Sequence, residues 1–541
     1  MVIDEPTPSG WKSWIERAGS GLVGIAELAN PILVKETRQA LKSRQFIVTF
    51  LVVLIACWIA SFAVVAIVGP DVYFVAAGAQ MLLVYAVILA FPLMIIVPYT
   101  AFRSLAAEQE DNTYDLLSIT TLTTGQIVAG KLASAIVQML VFLSAVSPCI
   151  AFTFLLRGVD ALTVAVLIGY LVLTSLGLSI IALLAGTVAK VRYSQVMVSV
   201  LLVLLLAGVF FMSIPMMQEF ISDSYSFLRD GRFWVGNLAF LTFYLTTFAL
   251  LHAAASAQIA FNSQNRSTPL RRIMLLQQAC FLGWMTVPVI TDGLRIVNDV
   301  LFVAAMMSGI YWYIMGTLLT SEWPHLSRRV QRSLPQSQIG RTFFTWLNPG
   351  PGTGFMFCVA NLSMLVAAGL IVMLSTSSPA ARLLNSEQIF FFYTIGWSYL
   401  VLYLGLGKLL ISLMRRFVFV SLTAGFLLHV ILLLIGCGGP QILSYLTSSI
   451  QFGNQYTLLH ITNPIWTLMK LIDTGPATIE AWTVLLVIGS AAVIVMLLNI
   501  RAVAVEIQYQ RSNLPARVAE DEALLHPEPE PGPSNPWEAE I

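Results

Sequence analysis

Charged residues are scarce in this chain, and their scarcity excludes more than any single motif does. Asp, Glu, Lys and Arg make up 11% of 541 residues, whereas 57% are hydrophobic and the mean hydropathy is +0.82. An ordinary soluble domain carries roughly a quarter charged residues, so a water-facing globular fold is excluded. Cysteine is sparse too. Cys57, Cys149, Cys280, Cys358 and Cys437 fall in or beside apolar runs without paired spacing, which reads as buried, inert thiols rather than disulfides or metal ligands. The five histidines are scattered: His252 and His429 lie in apolar runs with no carboxylate beside them, and His325, His460 and His526 lie outside, so no metal site is read. G-x-S-x-G, H-E-x-x-H and a pair of intramembrane aspartates are missing, which removes the parts for nucleophilic or metal-assisted hydrolysis. Acidic residues are absent from mid-span positions, and Lys408 stands near the end of its run, where its stem can snorkel. That pattern argues against an ion-coupled carrier, which uses charge near the bilayer midplane.

Long apolar runs are abundant instead. Lipid cannot satisfy backbone N–H and C=O groups, so a span must be a helix of roughly 20 apolar residues that pairs them internally. Twelve runs qualify: 46–69, 76–101, 132–156, 162–189, 194–216, 233–260, 273–290, 300–320, 355–374, 389–413, 417–437 and 482–500. The seventh is the shortest and carries Gln277, Gln278 and Pro288. The expected fold class is therefore all-α, a polytopic membrane protein. Met1–Ser20 is polar and no small-residue cleavage site is obvious after the first run, so a retained N-terminus without a cleavable signal peptide is expected. With the N-terminus in the cytoplasm, 23 of the 29 Lys and Arg residues fall on the inner side and 6 (Arg157, Arg229, Arg232, Arg295, Arg382 and Lys470) on the outer side. By the positive-inside rule both termini are expected in the cytoplasm.

Two polar segments flank the first pair of spans. The first, 30–46, reads as a helix with Asn30 as N-cap and Pro31 at its first position. Leu33, Val34, Thr37, Leu41 and Phe46 can share one face, with Lys35, Arg38, Lys42 and Arg44 toward water and lipid phosphates and Glu36 among them. That is the pattern of an amphipathic helix lying at the membrane surface. The second segment, 102–131, holds the only acidic cluster in the body of the chain: Glu108, Glu110, Asp111 and Asp115. It reads as a helix, a break at Asp111-Asn112, and a second helix N-capped by Thr113, with the acids at its positive end. A solvated connector is the alternative. Gly125–Lys131 has the G-x4-G-K spacing of a phosphate-binding loop, but Leu132 stands where Ser or Thr would hold Mg²⁺ and no strand precedes it. A turn at Gly125 and a lysine anchoring the next span at the cytoplasmic surface is the preferred reading.

At these residues the chain resembles the membrane subunits of type-two ABC transporter permeases. In that family a cytoplasmic amphipathic helix precedes the first span, and the loop after the second carries a pattern like E-x-E-x-G-T-x-E-L-L-x-x-T-P-L-x-x-x-x-I-x-x-G-K. Glu108 and Glu110 match the two acids, Asn112-Thr113 stands for Gly-Thr, Asp115-Leu116-Leu117 for Glu-Leu-Leu, Thr121-Leu122 for the turn, and Ile127 with Gly130-Lys131 for the ending. No proline separates Thr121 from Leu122. The resemblance implies that 102–131 is a coupling loop seated on a separate cytosolic ATP-binding subunit, with Glu108, Glu110, Asp111, Thr113, Asp115, Thr121 and Gly125 at that contact. It also implies an ATP-driven exporter in the plasma or bacterial inner membrane, with ATP bound by the partner and no cofactor or nucleic acid bound by this chain. By the same resemblance, 218–232 corresponds to the region sealing the outer gate.

The likeness covers about the first half, so the expected organisation is an N-terminal segment 1–45 with the interfacial helix, a permease-like six-helix unit 46–262, a second six-helix unit 263–500, and a disordered acidic, Pro-rich cytoplasmic tail 501–541. Asn348-Pro349 echoes Asn30-Pro31 without a second acid-and-threonine loop, so either the chain dimerises through its first half or the second half plays a different part. The inner loop 321–352, with Arg328, Arg329, Arg332 and Arg341, reads as a contact to the ATPase, or to anionic lipid as a membrane anchor. The outer loop 438–481 reads as an interfacial or re-entrant helix near a substrate exit, or as a simple cap. Two other functions compete with an exporter: a membrane scaffold that kept the permease form without transport, and an ion-coupled secondary transporter.

Overall fold

The computed structural model describes residues 31–68, 77–110, 122–156, 158–189, 192–261, 264–293, 296–323, 327, 331, 346–376, 386–447, 456, 458–509 and 516–525. Among them there is no strand, and twelve helices are long and apolar enough to cross a membrane. The protein is an all-α, multi-pass membrane protein. Its helices divide into two compact units, residues 1–260 with 269–284, and 261–268 with 285–541.

Among the described residues, unit 1 opens with α1 (Pro31–Leu41), a short helix ahead of the first span, α2 (Arg44–Val68). The second span is α3 (Gly78–Glu110), followed by α4 (Thr124–Leu155), α5 (Ala161–Val188), α6 (Arg192–Arg229) and α7 (Gly231–Ile259). The next helix, α8 (Thr268–Asp292), runs unbroken through Pro288, and its residues 269–284 group with unit 1. Most helices are apolar all round, so hydrophobicity does not say which spans are central. Packing decides it: 61% of the most apolar stretch of α3 is buried, against 11% for α2 and α7. The core around α3 is built from Tyr85, Leu89, Leu93, Phe102, Met139 and Phe142.

A π-helical turn, Pro92–Ile96, interrupts α3. In that register the carbonyl of Leu93 should pair with the N–H of residue 98, but residue 98 is proline and has none. The hydroxyl of Ser175, buried on α5, donates to that carbonyl at 2.5 Å. One side chain thus satisfies the acceptor that the proline leaves open. The segment 218–232, expected as a separate outer piece, is mainly the continuation of α6 to Arg229, followed at Gly231 by α7, whose first turn is capped by Asp230 accepting from Arg232 N.

Unit 2 contains α9 (Val297–Thr320), α10 (Pro351–Thr376), α11 (Ser386–Met414), α12 (Leu422–Thr447), a 3-10 turn (Leu458–Thr462), α13 (Pro464–Thr474), α14 (Ala481–Tyr509) and α15 (Ala516–Leu525). Its central span is α11, with Phe391, Tyr399 and Tyr403 packed against Leu471, Val484 and Ile488. Glycine lets neighbours approach closely here: a Cβ at Gly369 or Gly436 would overlap the rings of Tyr393 and Tyr403. The expected outer loop 438–481 is largely helical: α12 continues to Thr447, and α13 packs back on the spans. Asn463 caps α13 by accepting from Trp466 N at 3.0 Å and donates to the Cys437 carbonyl at 3.0 Å.

The expectation of a disordered tail from 501 onward is corrected in part. Residues 501–509 finish α14, and Ala516–Leu525 form α15. Its sequence ARVAEDEALL is rich in strong helix formers, and Pro515 stands just before it, where a missing N–H costs nothing. The Pro-rich stretch 526–541 and most of the loop 321–352, including Arg328, Arg329, Arg332 and Arg341, lie outside the described residues.

Candidate functional site

The end of unit 1 that holds α1 gathers buried charge. Ile32 enters the apolar cluster of Leu105, Ile127, Val128 and Ile180, and helical spacing then turns Glu36, four residues on, to the same face. Glu36 is accordingly buried, and so are Glu108 in the last turn of α3 and Lys131 in the second turn of α4. The Lys131 ammonium stands 3.1 Å from Glu36 Oε1 and 2.9 Å from Glu108 Oε2, and donates weakly to the Ser104 carbonyl and hydroxyl at 3.4 Å. Lys35, half exposed, reaches Glu108 Oε1 at 3.2 Å and Glu36 Oε1 at 3.8 Å. Two cations meet two anions, so the cluster is neutral and the three donors of Lys131 all find acceptors.

The rest of the α3 terminus is secured in other directions. With its amide turned so that nitrogen faces the neighbouring acceptors, Gln109 donates to the carbonyls of Ala189 and Gly186 at 3.0 and 3.2 Å, capping the end of α5. Glu110, two positions from Glu108 and so on another face, is exposed and faces Arg192 of α6 at 3.6 Å. Gln195 Nε2 reaches the Ala106 carbonyl at 3.5 Å. The chain resumes with a capping box: Thr123 Oγ1 accepts from Gln126 N at 3.3 Å while Gln126 Oε1 accepts from Thr123 N at 2.9 Å. Gly125 therefore sits in the first turn of α4, against the ring of His252, and not in a free turn before it.

Several expectations change in this light. Lys131, read as a surface anchor, is only 1% exposed in its side chain and joins α1 to α3. Glu108, expected at a partner's surface, faces inward to two lysines, whereas Glu110 keeps an outward position. On α1, Arg38 and Val34 are exposed, as are Lys42 just after it and Arg44 at the start of α2; Leu33, Thr37 and Leu41 are half buried; and Pro31 begins the helix. Asp111, Thr113, Asp115 and Thr121 lie outside the described residues. Sequence reasoning did not single out Lys131 as a hub or Gln109 as a cap. The available signal was a lone glutamate on a helix of cations, with a lysine opening a span.

The corresponding end of unit 2 is organised differently. Asn348-Pro349 precedes the span α10 directly, with no short helix between. Glu322 accepts from Ser267 Oγ at 2.6 Å and from Gly350 N at 3.0 Å, and Thr268 donates to the Leu347 carbonyl at 2.5 Å. Among the described residues, no three His, Cys, Asp or Glu side chains gather as metal ligands would. Comparison with protein-family models, curated proteins and solved structures returns no match for this chain.

Proposed function

We propose that this chain is the membrane subunit of an ATP-driven exporter, and that the charged end of unit 1 faces the cytoplasm and receives the push of a separately encoded ATP-binding subunit. The observation that carries this reading is Lys131 bridging Glu36 and Glu108. A segment that passes on a movement of a few ångströms must not slide against the helices it drives. Apolar contacts are non-directional and permit sliding, whereas charge-assisted hydrogen bonds at defined distances set a register. The clamp binds α1, α3 and α4 into one body, and the acid-and-threonine segment that resembles a coupling loop joins α3 to α4. Glu110, exposed at the end of α3, is the described acid best placed for the partner. The exposed cations Arg38, Lys42 and Arg44 suit lipid phosphates.

Co-purification tests this directly. Co-expressed with its ATP-binding subunit, the native chain should retain it, and Glu110→Lys combined with Asp115→Lys should cut retention at least tenfold while leaving chain yield unchanged. Undiminished retention sinks the assignment. So does labelling of a cysteine at position 110 from the extracytoplasmic side alone, or solute movement by the isolated chain under an ion gradient.

A further inference from the structure

Unit 2 encloses a cavity of about 590 Å³ between α9, α10, α11, α12 and α13, within the range of roughly 300–1,000 Å³ typical of small-molecule sites. Among the described residues, none of the lining side chains is charged. The wall does contain polar groups, and their protons are already committed to the protein. Tyr313 donates to the His429 carbonyl at 3.2 Å, Tyr393 to Leu301 at 2.9 Å, Tyr399 to Ile461 at 2.5 Å and Tyr403 to Thr462 at 2.6 Å. Ser308 and Thr317 donate to carbonyls of their own helix, and the Trp397 indole donates to Ser363. An occupant therefore meets no free donor. A buried carboxylate, phosphate or peptide group would lose its hydration there without replacement, which selects against polar ligands.

We propose that this cavity binds one acyl chain of a membrane lipid. The volume is far larger than the voids a packed interior tolerates, and a hydrocarbon chain is the one abundant apolar molecule around a spanning helix. Exposed side chains border the cavity on two helices, Met306 and Ile310 on α9 and Ile465 and Met469 on α13, so a chain can enter sideways from the bilayer. The α13 cap is held across the cavity's end by the Tyr399 and Tyr403 hydroxyls, donating to Ile461 and Thr462 just before it. Those two bonds give the site a lid without placing a polar group inside.

Photolabelling decides the matter. The full chain, reconstituted in phosphatidylcholine and phosphatidylglycerol vesicles with a phospholipid bearing a mid-chain diazirine, is irradiated and its adducts are mapped by mass spectrometry. Labels are expected on the inward wall, at Tyr313, Tyr403 and Leu468, as well as on Leu434 and Ile435 of the exposed α12 face. Gly396→Leu fills the cavity, since a Cβ there meets only Leu468 Cδ1 at 3.9 Å, and should remove the wall labels at least fivefold while sparing the α12 labels. Ala305→Phe fills it from the facing helix and should do the same, so one misfolded variant leaves the test intact. Wall positions unlabelled in the native chain overturn the proposal, as do wall labels that survive both fillings. Preferential wall labelling by a diazirine sterol over the phospholipid overturns it too. The labelling needs no ATPase, so its failure leaves the coupling reading untouched.

Discussion

In unit 1, Lys131 is buried together with Glu36 and Glu108 at one end of the helix bundle, whereas the cavity in unit 2 is lined, among the described residues, without a single charged side chain. Both units bury polar atoms among apolar helices, yet unit 1 uses charge to hold three helices in one register, whereas around the unit 2 cavity tyrosine hydroxyls bond carbonyls of neighbouring elements and leave the enclosed space apolar. A buried ion cluster resists sliding because each displaced partner would face low-dielectric surroundings alone. The tyrosine hydroxyls also join neighbouring elements, α9 to α12, α11 to α9 and α11 to the turn before α13, but they carry no charge, and the wall they form stays apolar toward its contents. A charged clamp and an apolar enclosure are thus built from the same kind of apolar helices by the placement of a few polar atoms.

The comparison breaks most readily at Lys131. Replacing it by Met leaves the buried Glu36 and Glu108 to share only the half-exposed Lys35, which should destabilise the protein by about 3–5 kcal/mol, read as a lower melting temperature in detergent. Adding Glu36→Gln and Glu108→Gln to Lys131→Met should recover much of that loss; no recovery would show that the cluster is not one coupled unit. Ser175→Ala orphans the Leu93 carbonyl at the π-turn and should cost about 1–3 kcal/mol by the same measurement, while Ser175→Thr should cost less. In unit 2, Tyr403→Phe removes one bond to the cap and should cost about 1 kcal/mol, seen as faster hydrogen exchange confined to residues 456–474. Smallest of all, Glu110→Gln breaks only an exposed pair with Arg192 and should change stability by less than about 0.5 kcal/mol. A large effect at Glu110 would erase the distinction between the inward and outward acids of α3.

The spans were legible from the sequence, including α8, whose Pro288 and paired glutamines made it the least regular run. The site was legible only in part. Glu36, Glu108 and Lys131 each belonged to a segment marked as polar, but their clustering required α1 to fold back beside α3 and α4, with Lys35 meeting Glu108 across 73 residues and Glu36 meeting Lys131 across 95. No local pattern encodes such a contact. The same holds for Ser175, whose partner lies 82 residues away. The helix Ala516–Leu525 was hidden by the prolines around it, because composition averaged over the tail outweighed ten residues of good helix formers.

The primary structure alone determined that this is an all-α, multi-pass membrane protein, with twelve helices among the described residues long and apolar enough to span, because hydrocarbon admits only helices that satisfy their own backbones, and a run of some 20 apolar residues announces one. Tertiary structure alone decided which of those spans lie at the centre, which glutamate of α3 turns inward, and where helices stand apart to leave a cavity. Spans that are apolar on every side carry no preferred neighbour, so those choices fall to side-chain shape and to a small number of polar contacts made across long stretches of chain.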